Sequence, residues 1–208
     1  MILGAGWTSA FLIPLLVKEK ISYATTSTTG REGTYKFKFD ADDSNNAQYA
    51  ALPTAKTILI TFPLKGPNQS THLYTSYTKT HNSGKSSYQF IQLGSSGIFS
   101  QISKQDLWVT RHSRYDTADM RAIAEDELIK LGGCVLNLSG LWGGERQPKH
   151  WLDRVASTKE MLRKKTSLHM VHGQEYVRSC LCFPVVTLSK PERHCLGGMR
   201  HPFWGRYW

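Results

Sequence analysis

The sequence predicts an α/β fold, with a doubly wound parallel sheet that carries helices on both faces and is followed by an irregular C-terminal tail. Apolar runs rich in β-branched residues alternate with segments of helical periodicity, which is the pattern of strand–helix–strand units in parallel sheets. Residues 57–62 form an almost continuous apolar run, as expected of a strand buried on both faces of such a sheet. The composition, with 40% hydrophobic and 20% charged residues, is that of a globular protein with a sizeable core.

The alternation predicts the individual elements in order. Strands are predicted at residues 1–3, 21–27, 35–39, 57–62, 88–93 and 134–138, and helices at residues 7–18, 69–81 and 117–131. The first helix contains Pro14, which is expected to kink it or to lie close to its first turn. The third helix is expected to turn its acidic residues to solvent, and residues 40–51 are expected to form a loop or a short helix.

The chain is expected to form one domain over residues 1–177, followed by a basic segment at residues 178–208 that is rich in Pro, Cys and Trp. From Cys180 onward the sequence shows neither strand nor helix periodicity and is interrupted by prolines. This segment is predicted to form a packed loop or a partly disordered end.

Several classes of protein are excluded by sequence patterns. No segment is apolar enough to cross a membrane, and residues 1–17 lack the basic start and the cleavage site of a signal peptide. A cytoplasmic protein is therefore expected. Cys180, Cys182, His194 and Cys195 do not follow a common zinc-binding spacing, so no metal site is predicted.

Positive charge is concentrated near the C-terminus. The net charge of the chain is +10, of which residues 1–145 carry +2 and residues 146–208 carry +8. A nucleic-acid-binding surface is one interpretation. We favour a solvated helix face at residues 159–165 followed by a basic tail, because the basic and aromatic residues form no recognisable nucleic-acid-binding motif. Nucleic acid is therefore not an expected partner.

A short glycine-rich segment is the strongest functional signal in the chain. Residues 4–9 read GAGWTS and stand between the first predicted strand and the first predicted helix, the arrangement that binds the pyrophosphate of a dinucleotide. Gly4 would permit the tight turn, Gly6 would let the backbone approach the phosphates, and the helix N-terminus would supply free N–H groups. Ser9 replaces the third glycine of the usual pattern, and both Thr8 and Ser9 could donate hydroxyl groups to a phosphate. A purely structural glycine turn is the alternative.

The end of the second predicted strand indicates which dinucleotide is bound. Residues 28–31 read TTGR, where a protein that prefers NAD usually has an acidic residue for the ribose 2′-hydroxyl. Arg31 instead offers a planar fork that suits a 2′-phosphate. NADP(H) is therefore the predicted cofactor. NAD stays open, because Glu32 is adjacent and Arg31 could simply face solvent.

Several motifs that follow in order along the chain resemble those of extended and atypical short-chain dehydrogenases/reductases, the group that includes nucleoside-diphosphate-sugar epimerases. The resemblance runs from residue 2 to about residue 177. It rests on ILGAG at residues 2–6, TTGR at 28–31, FD at 39–40, LGSSGIF at 93–99, AE at 124–125, LSGLWGGER at 138–146 and LHMVHGQEYV at 168–177. The set as a whole is far more specific than any one of its motifs.

The resemblance implies a Rossmann-type fold, a bound nicotinamide dinucleotide and an unknown small-molecule substrate. The residues expected to bind the cofactor are Gly4, Gly6, Trp7, Thr8, Ser9, Thr29, Arg31, Asp40, Phe62 and Pro63. Ser96 matches the catalytic Ser/Thr of the family, with a loop-capping hydroxyl as its alternative role. Trp142, Arg146 and His172 fall in segments expected to line the substrate side, where His172 is either a second proton carrier or a structural histidine.

The chain departs from the family at the Tyr-x-x-x-Lys motif of the active site. In this sequence the tyrosine position falls on Thr117 and the lysine position on Arg121, while Tyr115 lies two residues early. Tyr115 is the candidate general acid/base, and Arg121 would orient the reacting groups. Since arginine cannot lose a proton as lysine can, the usual proton relay is in question.

A second departure lies at the C-terminus, where the resemblance stops near Val177. A shortened or altered C-terminus with an incomplete substrate pocket is therefore expected. The protein is expected to be an NADP-dependent oxidoreductase or epimerase-like enzyme that acts on a hydroxyl or carbonyl group. The alternative is a non-catalytic NADP(H) sensor like the NmrA-like regulators. The oligomeric state and the substrate stay open.

Overall fold

The computed structural model describes residues 1–31, 33–43, 46–81, 88–100, 110, 112–151, 156–164, 169–186 and 195–196. Within these ranges no helix has both the length and the apolar character needed to cross a membrane. The description that follows concerns these ranges.

A parallel sheet forms the centre of the molecule. Its strands are β1 (Ile2–Leu3), β2 (Thr26–Ser27), β3 (Tyr35–Lys36), β4 (Thr57–Ile60), β5 (Gln89–Ser95) and β6 (Cys134–Leu138). β1, β4, β5 and β6 are neighbours in that order. β2 pairs with β3, and a bridge between Ile2 and Thr25 joins this pair to the other side of β1. The strand order is therefore 3-2-1-4-5-6, with the direction of winding reversed between β1 and β4.

Helices and smaller elements complete the fold. The helices are α1 (Trp7–Lys18), α2 (Ala47–Ala50), α3 (Gln69–His81), α4 (Met120–Lys130), α5 (Lys159–Arg163) and α6 (Gly173–Val186). Short 3-10 turns occupy Ser96–Phe99 and Pro148–Trp151. β7 (Gly140–Trp142) and β8 (Met170–His172) form a separate parallel pair, and β9 (Cys195–Leu196) pairs in parallel with β6.

Two apolar clusters bury the two faces of the sheet. The first packs α1 and α6 against one face and includes Ile2, Leu12, Leu16, Leu59, Ile91, Leu136, Tyr176 and Val177. The second packs α3 and α4 against the other face and includes Leu3, Ile58, Ile60, Leu73, Tyr77, Phe90, Leu128 and Val135. Successive residues of each strand enter opposite clusters, as the two-residue period of a strand requires. The predicted doubly wound sheet with helices on both faces is confirmed.

Some element boundaries differ from the prediction. The second strand was predicted at residues 21–27 but is limited to Thr26–Ser27, because Ile21 and Tyr23 are exposed and have no neighbouring strand to pair with. The helix predicted from residue 117 begins at Met120, since the Asp119 carboxylate accepts hydrogen bonds from the N–H groups of residues 121 and 122 and so caps the helix. Pro14 lies inside α1 rather than in its first turn.

The prediction that α4 exposes its acidic residues is wrong for Glu125, which solvent does not reach at all. Its neighbours explain the burial. The carboxylate accepts hydrogen bonds from the backbone N–H of Ser95 at 3.1 Å and from Nδ2 of Asn137 at 2.6 Å. These polar partners lie on β5 and β6, so a charged side chain is accommodated between the helix and the sheet.

Regular structure extends further toward the C-terminus than expected. α6 continues through Val186, so the domain boundary predicted after residue 177 falls within this helix. Tyr176, Val177 and Cys180 are buried in the first apolar cluster at helical spacing, a short periodicity that the later prolines obscure in the sequence. Irregular structure was expected from residue 178, but residues 178–186 are helical and Cys195–Leu196 form a strand. The rest of that segment lies outside the described residues.

Candidate functional site

A cavity of about 620 Å³ opens at the carboxyl ends of β1, β2, β4, β5 and β6. This edge, where the strand order reverses between β1 and β4, is where doubly wound sheets bind their ligands. Its lining residues are Gly4, Ala5, Gly6, Trp7, Thr8, Ser27, Thr28, Thr29, Arg31, Thr61, Phe62, Pro63, Leu93, Gly94, Ser95, Arg121, Leu138, Ser139, Leu141 and Arg146.

The glycine turn after β1 forms one wall of the cavity. Gly4 has a φ of +96°, and a Cβ atom there would lie 2.6 Å from Oγ1 of Thr61, so only glycine fits without strain. Thr61 fastens the turn by donating to the carbonyl oxygens of Leu3 and Gly4 at 2.9 and 2.7 Å. In contrast, a Cβ atom on Gly6 would meet nothing within 4 Å. The backbone at Gly6 therefore lies bare beside the open cavity.

The N-terminus of α1 opens onto the same cavity. Gly6 is its N-cap residue, no side chain caps the first turn, and that turn contains no acidic residue. The first N–H groups and the positive end of the helix dipole are therefore available to an anion. Thr8 lines the cavity, whereas the hydroxyl of Ser9 is buried with no hydrogen-bond partner among the described residues and lies outside the lining.

Arg31 reaches the glycine turn from the loop after β2. Oγ of Ser27 accepts hydrogen bonds from the N–H groups of Gly30 and Arg31 at 3.0 and 3.1 Å, which closes this loop. The guanidinium of Arg31 donates a hydrogen bond to the carbonyl of Ala5. Arg31 and its neighbour Thr29 both line the cavity, at the side where β2 ends.

An aromatic pair closes the side of the cavity beyond β4. Phe62 and Pro63 line the cavity, and Phe62 stacks on Phe39 with ring centroids 5.7 Å apart. Asp40, predicted at this side, is exposed, and its carboxylate accepts a hydrogen bond from the N–H of Asp42 at 3.0 Å. Asp40 is not among the lining residues, so the structure places an apolar surface where the sequence predicted a carboxylate.

Arg146, predicted on the substrate side, lies beside the glycine turn. Its Cζ atom stands 4.6 Å from the centroid of the Trp7 ring. The indole N–H of Trp7 donates to the carbonyl of Gly143 at 3.0 Å, so the turn and the loop after β7 are tied together. Among the three residues predicted on the substrate side, Arg146 lines the cavity.

Trp142 and His172, the other two residues predicted on that side, lie outside the lining. The His172 ring packs edge-on against Trp142 at 4.6 Å and against Phe11 at 5.6 Å. Its Nδ1 atom accepts a hydrogen bond from the N–H of Gln174 at 3.3 Å. These contacts hold the His172 ring in the interface between α1 and the β7–β8 pair.

The two residues predicted to supply hydroxyl groups to the active site, Ser96 and Tyr115, lie outside the lining of the cavity. Oγ of Ser96 donates to the carbonyl of Leu138 at 3.2 Å. The Tyr115 hydroxyl donates to Oδ1 of Asp126 at 2.7 Å, and its ring packs against Phe99. The structure therefore does not bring Ser96 and Tyr115 together at the cavity. Ser95, one residue earlier, lines the cavity.

Arg121 lines the cavity from the first turn of α4, at the position of the family's lysine. Nη2 of Arg121 donates to the carbonyl of Leu93 at 3.3 Å, and Nε lies 3.8 Å from Oε1 of Glu125. Burial raises the pKa of Glu125 to about 7, although the hydrogen bonds from Asn137 and Ser95 and the charge of Arg121 partly oppose the rise.

The sequence analysis did not predict that Glu125 and Asn137 form a hydrogen-bonded pair behind the cavity wall, in contact with Arg121. Asn137 is the one polar residue of the strand CVLNL, which was the available signal. Gly94 makes room for both side chains, since a Cβ atom there would lie 2.7 Å from Nδ2 of Asn137 and from Oε1 of Glu125. Among the described residues, the lining of the cavity contains three arginines and no acidic side chain, which favours an anionic ligand.

Comparison with known proteins finds similar structures but no similar sequences. No protein-family model matches the sequence, and no curated protein matches it. Solved structures do match. MoeE5 in complex with UDP-glucose and NAD superposes with a TM-score of 0.64 at 13% identity, over 94% of this chain and 74% of its own.

Two further structures give similar values. A short-chain dehydrogenase/reductase superfamily protein from Agrobacterium tumefaciens with bound NAD matches with a TM-score of 0.64 at 10% identity, over 94% of this chain and 76% of its own. RMD from Pseudomonas aeruginosa complexed with NADPH matches with a TM-score of 0.63 at 11% identity, over the same shares. At 10–13% identity the likeness shows a shared fold, so this chain has the fold of these three structures.

Proposed function

We propose that this protein binds NADP(H) in the cavity at the strand ends and acts as an oxidoreductase or epimerase-like enzyme on a hydroxyl or carbonyl group. The observation that carries the proposal is the bare glycine turn at Gly6, which opens with the uncapped N-terminus of α1 onto a cavity of about 620 Å³. This volume lies within the range of cofactor pockets.

The residues at the cavity fit a dinucleotide. The helix N-terminus beyond Gly6 suits the pyrophosphate, and the apolar wall at Phe62 and Pro63 suits an adenine ring. Two of the similar structures hold NAD and one holds NADPH, which supports a nicotinamide dinucleotide of either kind. Arg31 favours NADP(H), because its guanidinium lies beside the turn at the end of β2, where a ribose 2′-phosphate would bind.

The bound cofactor would supply the hydride donor or acceptor. The chain's own residues would position and polarise the substrate. Arg121 would hold a substrate or ribose oxygen with a permanent positive charge, and Ser95 or Ser96 would donate a hydrogen bond to a substrate oxygen. Glu125, Asn137 and the β5 backbone would keep Arg121 in place from behind.

A non-catalytic NADP(H) sensor is the second candidate, and a specific observation favours it. In the described ranges of the chain, the lining includes no Tyr, Lys, His, Cys, Asp or Glu that could transfer a proton, and Tyr115 is hydrogen-bonded to Asp126. A sensor needs only the binding site, whereas a reductase also needs a proton source within reach of the substrate oxygen.

Calorimetric titration with NADPH and with NADH tests the proposal. We expect NADPH to bind at roughly micromolar Kd and Arg31→Ala to weaken it about tenfold or more, with less than about a twofold effect on NADH, because a charge-assisted bond to a phosphate is lost. Arg163→Ala, which removes an exposed arginine of α5, is the matched control and should change neither affinity. Failure of the wild-type protein to bind either dinucleotide would refute the proposal.

Turnover separates the two candidates. Oxidation of NADPH is followed by its absorbance with a panel of aldehydes, ketones and nucleotide sugars. Steady consumption with any of them supports the enzyme. An epimerase-like enzyme would return the hydride to its substrate and consume no cofactor, so the nucleotide sugars are also incubated with NADP⁺ and analysed for epimerisation. Tight NADPH binding with neither NADPH consumption nor epimerisation supports the sensor.

A further inference from the structure

The loop between β7 and β8 places a second arginine at the phosphate-binding turn. Residues 143–146 form a tight turn that two backbone hydrogen bonds close. The N–H of Gly143 donates to the carbonyl of Arg146 at 2.8 Å, and the N–H of Arg146 donates to the carbonyl of Gly143 at 3.1 Å. Gly143 and Gly144 have φ values of +120° and +57°, which the turn requires. The turn directs the Arg146 side chain onto Trp7.

Trp7 serves as a platform for this arginine. The indole is held by its hydrogen bond to Gly143, by edge contact with Phe11 at 4.7 Å and by stacking on Tyr176 at 6.2 Å. A guanidinium 4.6 Å above a fixed indole is a favourable cation–π arrangement. The stack restricts the side chain of Arg146, so little further order is lost when its guanidinium binds a ligand.

Arg146 brings a positive charge to the cavity wall. Within the described part of the chain, Arg146 makes no ion pair with a carboxylate and is exposed. It lines the same cavity as Gly6, whose backbone lies bare, and as Arg31. Arg31 approaches the turn at Ala5 and Arg146 approaches it at Trp7, so both cations stand beside the N-terminus of α1.

We propose that Arg146, stacked on Trp7, binds the pyrophosphate of the dinucleotide, which places it on the cofactor and not on the substrate. The phosphates would lie between the N–H groups of the α1 N-terminus and the guanidinium of Arg146. The proposal rests on the dinucleotide-binding function proposed above. It separates the two arginines by task, with Arg31 at the ribose 2′-phosphate and Arg146 at the pyrophosphate.

Three probes separate these tasks by calorimetry: NADPH, 2′-phospho-ADP-ribose and adenosine 2′-monophosphate. The first two contain the pyrophosphate and the third does not. We expect Arg146→Ala to weaken NADPH and 2′-phospho-ADP-ribose about tenfold or more and to change adenosine 2′-monophosphate less than about twofold. Arg31→Ala should weaken all three probes. Arg146→Lys should recover part of the lost affinity, because it keeps the charge but not the planar stack.

Each contrary outcome overturns a defined claim. Unchanged NADPH affinity in Arg146→Ala, in a protein whose wild type binds NADPH, removes the assignment of Arg146 alone. A loss for NADPH without a loss for 2′-phospho-ADP-ribose places Arg146 at the nicotinamide end and also overturns it. If the wild type binds no dinucleotide, the proposed function fails and this inference fails with it. Circular dichroism verifies the fold of each variant, and the exposed position of Arg146 predicts no change.

Discussion

Nε of Arg121 lies 3.8 Å from Oε1 of Glu125, one turn further along α4. The pair joins a cavity-lining cation to a carboxylate that solvent does not reach. Ser95 and Asn137 donate to the two oxygens of that carboxylate and so connect it to the ends of β5 and β6. A change in the charge of Glu125 is therefore expected to alter both the stability of the fold and the electrostatic environment of Arg121 at the cavity wall.

Glu125→Gln is expected to remove a pH dependence of stability. Burial raises the folded-state pKa of Glu125 from 4.5 to about 7, so the folded protein holds this proton more tightly than the unfolded chain. The contribution of this protonated carboxyl to the free energy of unfolding is fully present below about pH 4.5. It is lost, by on the order of 3 kcal/mol, as the pH rises to 7 and above. Urea denaturation at a series of pH values measures the free energy of unfolding.

The comparison between variants isolates this residue, since all other carboxylates titrate alike in both proteins. Relative to the wild type, Glu125→Gln should gain stability between pH 4.5 and 7. Glu160→Gln, at an exposed position of α5, should follow the wild-type curve in parallel. Parallel curves for wild type and Glu125→Gln would show that Glu125 does not titrate in this window.

Asn137→Val is expected to destabilise the protein more at pH 8 than at pH 5. The Asn137 amide donates to the Glu125 carboxylate at 2.6 Å, which lowers the pKa of Glu125 against the effect of burial. Without that donor the ionised carboxylate is left short of a partner, at a cost of roughly 1–3 kcal/mol. Unfolding free energies at the two pH values provide the test, and an equal loss at both would contradict the coupling.

Tyr115→Phe is expected to leave both NADPH affinity and any turnover unchanged within about twofold. The hydroxyl is bonded to Asp126 at 2.7 Å and does not line the cavity. The variant should lose about 1 kcal/mol of stability, the usual contribution of such a hydrogen bond. A loss of turnover by two orders of magnitude with unchanged affinity would instead identify Tyr115 as the general acid/base.

Substitutions in the glycine turn should separate folding from binding. Gly4→Ala places a Cβ atom 2.6 Å from Thr61 at a φ of +96° and should destabilise the protein by roughly 1–3 kcal/mol. Gly6→Val meets no protein atom within 4 Å of its Cβ and should keep the melting temperature nearly unchanged, yet its methyl groups would enter the space proposed for the phosphates. NADPH affinity should fall about tenfold or more. Normal binding by Gly6→Val would contradict the proposed pose.

Local patterns in the sequence determined the elements on which the cavity is built. The two-residue period of the strands, the helical periods and the glycine turn act over a few neighbours, so they are visible without a structure. They predicted the sheet with its helices, the turn at residues 4–9 and the arginine after the second strand. The same local signals misplaced the start of α4 and the length of β2, because capping by Asp119 and the lack of a pairing neighbour at Ile21 are not periodic features.

Only the tertiary structure decided which side chains meet at the cavity. Trp7 and Gly143 are 136 residues apart in the chain, and their contact brings Arg146 to the glycine turn, while His172 packs against the rings of Phe11 and Trp142. Glu125 is buried because β5 and β6 present donors to it, which no helical pattern records. The sequence alone determined the fold and the place of its glycine turn, since both follow from short-range patterns. The direction and charge environment of each site residue depended on long-range packing, because burial is a property of surfaces that distant segments share.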